Sequence, residues 1–158
     1  MDKQIEKVYN IPNYMKKAEL SYLRNVVKNI KNKEASIVNI GVYYGASAAS
    51  LLLGMNDYNI TGSLFLIDVF KYHNAGGPKI KPFRERDDVN WSDININEVK
   101  KYIEPFSNNN KIIYLKSFSD DVNLESIGPI SLIFIDGDHT THACLLDALK
   151  YSQKIVDD

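Results

Sequence analysis

One cysteine, Cys144, is too few for an intramolecular disulfide, which leaves a reducing cytoplasm as the expected setting. With only 25% charged residues against 44% hydrophobic ones, the chain is not a disordered acidic segment. No apolar run approaches the roughly 18 residues needed to span a bilayer. The opening MDKQIEKVYNIPNYMKK lacks the apolar centre of a secretory signal. An excess of either charge is also missing: 19 Lys and Arg stand against 20 Asp and Glu, a formal net charge of -1. Bulk electrostatics therefore draws the chain neither to nucleic acid nor to a membrane surface, and homo-oligomer formation stays open.

What is present suits a folded domain. At 44% hydrophobic residues, the length accommodates one core, and residues 1–158 read as a single domain. From Tyr14 to Ile30, apolar side chains recur at Met15, Tyr22, Leu23, Val26, Val27 and Ile30, the stripe of an amphipathic helix. Four apolar runs follow: Ile37 to Ile40, SLFLIDVF ending at Asp68, KIIYLKS ending near Leu115, and SLIFID ending at Asp136. None alternates, so each predicts a strand buried on both faces. The stretch ASAASLLLGM predicts a helix opening near Ala46 or Ser47, and a second helix is expected around Asn97 to Tyr102. Leu145, Ala148, Leu149, Ser152 and Ile155 or Val156 keep helical spacing and predict a last helix. Buried strands separated by helices predict an α/β fold, a Rossmann-like parallel sheet with helices on both faces. It reads as truncated after the fourth strand and the helix that follows. Residues 69–110 form a long insertion or lid between the second and third strands.

In such a sheet, ligands gather at the carboxyl ends of the strands, where this sequence concentrates its polar residues. After the first strand, Gly41 and Gly45 permit tight or left-handed turns, and Ser47 can cap the next helix or bond a ligand. The spacing G-x-x-x-G has no lysine and no third glycine, so it is neither a phosphate loop nor a full dinucleotide fingerprint. Asp68 lies 27 residues beyond Gly41, where a nucleotide-binding unit places an acid on the ribose diol. Ser117, Phe118 and Ser119 follow the third strand, with Phe118 read as core more than as a ring that stacks on a base. The fourth strand breaks off into DGDHTTH, placing Asp136, Asp138, His139 and His142 within seven residues.

Together the segments IVNIGVYYGAS, LFLID, IIYLKSFSDD and SLIFIDGDHTTHACLLDAL resemble the class I S-adenosylmethionine (SAM)-dependent methyltransferases. The narrower likeness is to the branch with the macrocin-type and cephalosporin-biosynthesis-type O-methyltransferases, and it runs from about Glu19 to the C-terminus. The resemblance implies SAM as cofactor, held by Asn39, Gly41, Tyr43, Gly45 and Ser47 in the loop, by Asp68, by Ser117, Phe118 and Ser119, and by Asp136. It implies a magnesium-type ion at Asp136, and a sugar or related small-molecule hydroxyl as acceptor. Asn39 departs from the pattern, which more often has an acid there.

Methyl transfer to a hydroxyl needs alignment and a group that takes the acceptor's proton. His139 is the expected base, Asp136 the expected catalytic partner, and Asp136 with Asp138 the expected metal ligands. Asp138 and Thr140 are equally readable as caps of the following helix. His142 is expected to be a partly exposed helix residue, Cys144 a small buried one, and Asp147 solvated or paired with a lysine. Tyr43, Tyr44, Tyr72 and Trp91 are candidates for a sugar pocket, and Lys79, Lys81, Arg84 and Arg86 for attracting an acidic acceptor. Two alternatives stand beside the enzyme: a non-catalytic nucleoside-binding fragment of one, and a nicotinamide-dependent oxidoreductase, which the incomplete glycine pattern disfavours.

Overall fold

The four apolar runs become strands β1 (Ser36–Ile40), β2 (Leu64–Asp68), β3 (Ile112–Lys116) and β4 (Ile130–Ile135). In this computed structural model, which describes residues 2–70 and 95–156, they pair in parallel in the order β3-β2-β1-β4. β1 is central and buried along its whole length. Its alternate side chains face opposite layers: Ile37 joins the core beneath α3 (Ala46–Tyr58), whereas Val38 and Ile40 join the core on the side of α5 (Thr141–Ser152). This two-sided burial explains why the strands show no polar alternation. Helices cover both faces, as expected.

Strand order fixes where a ligand can sit. The chain winds outward from β1 through β2 to β3, then crosses back to lay β4 on the other side of β1. The carboxyl ends of β1 and β4 therefore diverge into a crevice at the topological switch point.

Ala46 to Met55 of α3 are all buried, because the sheet lies below them and α1 (Lys3–Tyr9), α2 (Lys17–Val26) and α4 (Ile96–Ile103) pack around them. Arg24 of α2 ties this layer together, pairing with Asp57 of α3 at 2.5 Å and with Asp2, the N-cap of α1. α1 spans only seven residues, too few for the sequence to show a helical period. The amphipathic helix starts at Lys17, three residues later than its stripe suggests. Asn13 holds the preceding turn, accepting from the Met15 N–H at 2.9 Å and donating to the Ile11 carbonyl at 2.6 Å.

The last helix differs most from expectation. The helix itself forms, but Leu145 and Leu149 are 55% and 57% exposed, while Asp147 and Tyr151 are buried. α5 rests on the sheet through Tyr151, whose hydroxyl donates to the Ser119 carbonyl at 2.9 Å. The exposed leucine side borders the groove at the end of β4, where Leu145 lies with Ile135. Asp147 is thus buried rather than solvated, with no lysine paired to it among the described residues. Cys144 is exposed rather than buried. Beyond β4 the described residues add a single parallel rung, Ile155 to Ile130, made by the Ile130 N–H to the Lys154 carbonyl and the Val156 N–H to the Ile130 carbonyl. Of the expected insertion, residues 69–70 and 95–110 are described, and the second stretch contains α4, which Asn95 caps through the Asn97 and Glu98 N–H groups. Tyr72, Trp91, Lys79, Lys81, Arg84 and Arg86 lie outside the described residues.

Candidate active site

The loop from β1 to α3 needs its glycines for two reasons. Gly41, Tyr43 and Gly45 all have left-handed backbone, at φ 77°, 51° and 98°. A Cβ on Gly41 would lie 2.2 Å from the Asp136 carbonyl oxygen, and one on Gly45 would lie 2.4 Å from an Ile103 methyl. The first contact closes the base of the crevice, setting the glycine loop directly against the end of β4. Side chains from the strands then fix the loop. Asn39, fully buried, donates through Nδ2 to the Gly41 carbonyl at 2.8 Å and accepts at Oδ1 from the Ser47 hydroxyl at 2.9 Å. Gly45 is the N-cap of α3 and brings no side chain, so the first N–H groups of that helix face the loop without a side-chain cap.

Asp68 is committed more heavily than a simple ribose acid. Its Oδ2 accepts from the Val42 N–H at 2.7 Å and the Tyr43 N–H at 3.2 Å, and its Oδ1 accepts from the Phe70 N–H at 2.7 Å. A carboxylate offers about four lone-pair positions, so three are used within the protein and one remains for a ligand. The residue is as much a latch on the glycine loop as a contact at its rim.

Beyond β3, the Ser117 N–H donates to the Asp68 carbonyl at 3.1 Å, keeping this turn beside the β2 end. Phe118 is 55% exposed, so it is not a core residue, and its ring stands at the strand ends. The Ser119 carbonyl instead accepts from Lys150 and Tyr151 of α5, which directs that backbone toward the helix.

At the end of β4, Asp136 is 45% exposed, and its Oδ1 lies 3.5 Å from His139 Nε2. Partial burial pushes the Asp136 carboxyl above the ordinary carboxylate range; His139 opposes that shift, and Glu19 adds to it. Asp138 accepts from the Thr140 N–H at 2.8 Å, and Thr140 caps α5 by accepting from the Ala143 N–H at 3.2 Å. Asp138 therefore makes a local turn, and the cap is Thr140. His142 is exposed, as expected. Asp136 and His139, with Thr141, Cys144 and Leu145, line an open groove of about 570 Å³, within the range of small-molecule sites.

The donor set does not fit a magnesium site. Among the described residues no three His, Cys, Asp or Glu side chains converge, and Asp138 is turned toward Thr140. Two acids with one already engaged fall short of the hard oxygen ligands that such an ion takes.

Sequence reasoning missed the N-terminal wall. Tyr14 stacks on Tyr43 with ring centroids 5.3 Å apart, Tyr43 meets Tyr44 edge-on at 4.7 Å, and Tyr44 meets Tyr102 at 5.8 Å. Five residues on from Tyr14, Glu19 acts electrostatically on the Asp136 carboxyl. Tyr14 reads in the sequence as the start of a helix stripe; only the Pro12-Asn13 pair hinted at a turn.

An open parallel sheet with a glycine turn and strand-end acids at its switch point defines the class of Rossmann-like ligand-binding domains. More narrowly, the model of a family described as a methyltransferase domain matches residues 38–158, and the chain belongs to that family. Among solved structures it is similar to an O-methyltransferase from Bacillus cereus in complex with SAH, at 19% identity and a TM-score of 0.58. It is similar also to the SAH-bound methyltransferase PaMTH1 of Podospora anserina, at 15% identity and a TM-score of 0.60. These alignments cover 95% and 96% of this chain but 61% and 58% of those chains, so it spans about three-fifths of their length. No curated protein matches it. Among the described residues no helix is long and apolar enough to cross a membrane.

Proposed function

We propose that this chain binds SAM in the crevice between β1 and β4 and methylates a hydroxyl of a small molecule, a saccharide or related natural product. The observation that carries the reading is the meeting of Gly41 with the end of β4 at the switch point, beside the partly free carboxylates of Asp68 and Asp136. SAM, when bound, brings a sulfonium methyl that an in-line oxygen nucleophile can displace. In this reading Gly41, Tyr43, Gly45 and Ser47 shape the pocket for its amino-acid end, with Asn39 behind them. The remaining lone pair of Asp68 accepts from a ribose hydroxyl. Ser117, Phe118 and Ser119 border the base, and the exposed ring of Phe118 supports a stacking role.

The acceptor occupies the groove beside α5. His139 takes its hydroxyl proton at Nδ1, while Asp136 faces Nε2 and stabilises the imidazolium that forms. No step is assigned to a metal. The experiment is a thermal-shift titration with SAM, S-adenosylhomocysteine (SAH) and NADH, followed by incubation with labelled SAM and a panel of sugars. Stabilisation by SAM and SAH with label transfer supports the reading. Stabilisation without transfer to any acceptor leaves a binding module, and stabilisation by NADH alone would point to a nicotinamide enzyme.

A further inference from the structure

The residue behind the glycine loop has a role that its position on β1 makes specific. Asn39 is completely buried, and its two amide ends do opposite work: Nδ2 donates to the Gly41 carbonyl at 2.8 Å, and Oδ1 accepts from Ser47 at 2.9 Å. Reversing the amide would set its oxygen against a carbonyl and its nitrogen against a hydroxyl, so the first contact fixes the orientation. Gly41 holds a left-handed φ of 77° and Ser47 lies in the first turn of α3. One side chain thus fastens the entrance of the loop to its exit.

We infer that Asn39 is a positioning residue, an uncharged clasp joining Gly41 to Ser47 that presets the loop for the nucleoside ligand at any pH. A carboxylate at this place can accept from Ser47 but has no hydrogen to give the Gly41 carbonyl, and burial penalises its charge. Only when protonated does an acid reproduce both contacts. The charged groups at the neighbouring strand ends are Asp68 after β2 and Asp136 with His139 after β4, and Glu19 of α2 acts on Asp136 in turn. The first turn of α3 carries no acid, and Gly45 meets α4 through the apolar Val99 and Ile103. Asp68 and Asp136 add negative potential, so an acid at position 39 is held in its protonated form further toward neutral pH.

The inference rests on the SAM-binding reading, and the two are tested separately. SAH binding is measured by calorimetry at pH 5 and pH 8 for wild type, Asn39→Asp and Ser47→Ala, each variant compared with wild type at the same pH so that other titrations cancel. If wild type binds no SAH at either pH, the SAM-binding reading fails and the inference falls with it. Given wild-type binding, Asn39→Asp is expected within about threefold of wild type at pH 5 and weaker by about tenfold or more at pH 8. An affinity ratio that does not change with pH overturns the inference. Should Asn39→Asp fail to fold, Asn39→Ala and Ser47→Ala, singly and together, decide: a double variant that loses little more affinity than the worse single one supports the clasp, and losses that simply multiply overturn it.

Discussion

Replacing Asp68 with alanine separates its two duties. In the folded chain without ligand, its carboxylate already collects the N–H groups of Val42, Tyr43 and Phe70. Hydrogen bonds to a charged acceptor are worth more than neutral ones, but Asp68 is partly exposed, so about 1 kcal/mol for each is a fair figure. The three together come to about 3 kcal/mol. In a domain of this size 1 kcal/mol moves the melting temperature by about 2–4 °C, so Asp68→Ala should lower it by about 6–12 °C. Asp68→Asn keeps one carbonyl acceptor and should lose about half as much. The assay is thermal unfolding followed by circular dichroism, without ligand. A melting temperature within about 2 °C of wild type, with SAH stabilisation abolished, would refute the latch and leave Asp68 a ligand contact only.

Three further outcomes follow from the same geometry. The Asp136 carboxyl is held above its ordinary value, so it favours the folded state when protonated, and that contribution is lost as pH rises through its folded pKa. Asp136→Asn should therefore melt higher than wild type at pH 7.5, with the difference shrinking below the ordinary carboxylate range, while methyl transfer falls; equal gains at both pH values would contradict the assignment. His139→Gln should reduce turnover by about 100-fold or more with SAH affinity nearly unchanged, and near-normal turnover would remove it as the base. Arg24→Ala breaks the links to Asp2 and Asp57 and should cost about 1 kcal/mol, read as a lower urea midpoint with no change in SAH affinity.

The sheet was legible because its inner strands β1 and β2 are buried on both faces and the outer β3 and β4 partly so, which leaves continuous apolar runs that end abruptly in polar residues. The positions of Gly41, Asp68 and Asp136 at strand ends followed directly. What the sequence concealed were choices between alternative partners. Asp138 and Thr140 were both plausible caps, and only the Thr140 hydroxyl reaching the Ala143 N–H decides between them. The leucines of α5 keep helical spacing, yet Leu145 and Leu149 are exposed while Tyr151, whose hydroxyl donates to the Ser119 carbonyl, is the buried one. Asn39 read as a departure from a ligand-binding acid, whereas its contacts lie within the loop itself. The approach of Tyr14 to Tyr43 joins residues 29 positions apart, and no local period encodes it.

Titrating SAH into wild type and Gly41→Ala in a calorimeter decides whether the β1/β4 crevice is the nucleoside site. At this position an added methyl meets both a left-handed backbone and the Asp136 carbonyl 2.2 Å away, so the crevice cannot keep its shape. Wild type should bind a single SAH saturably, and that binding should be lost in a Gly41→Ala chain that still unfolds cooperatively. Undiminished SAH binding by Gly41→Ala, or none by wild type, would contradict that assignment.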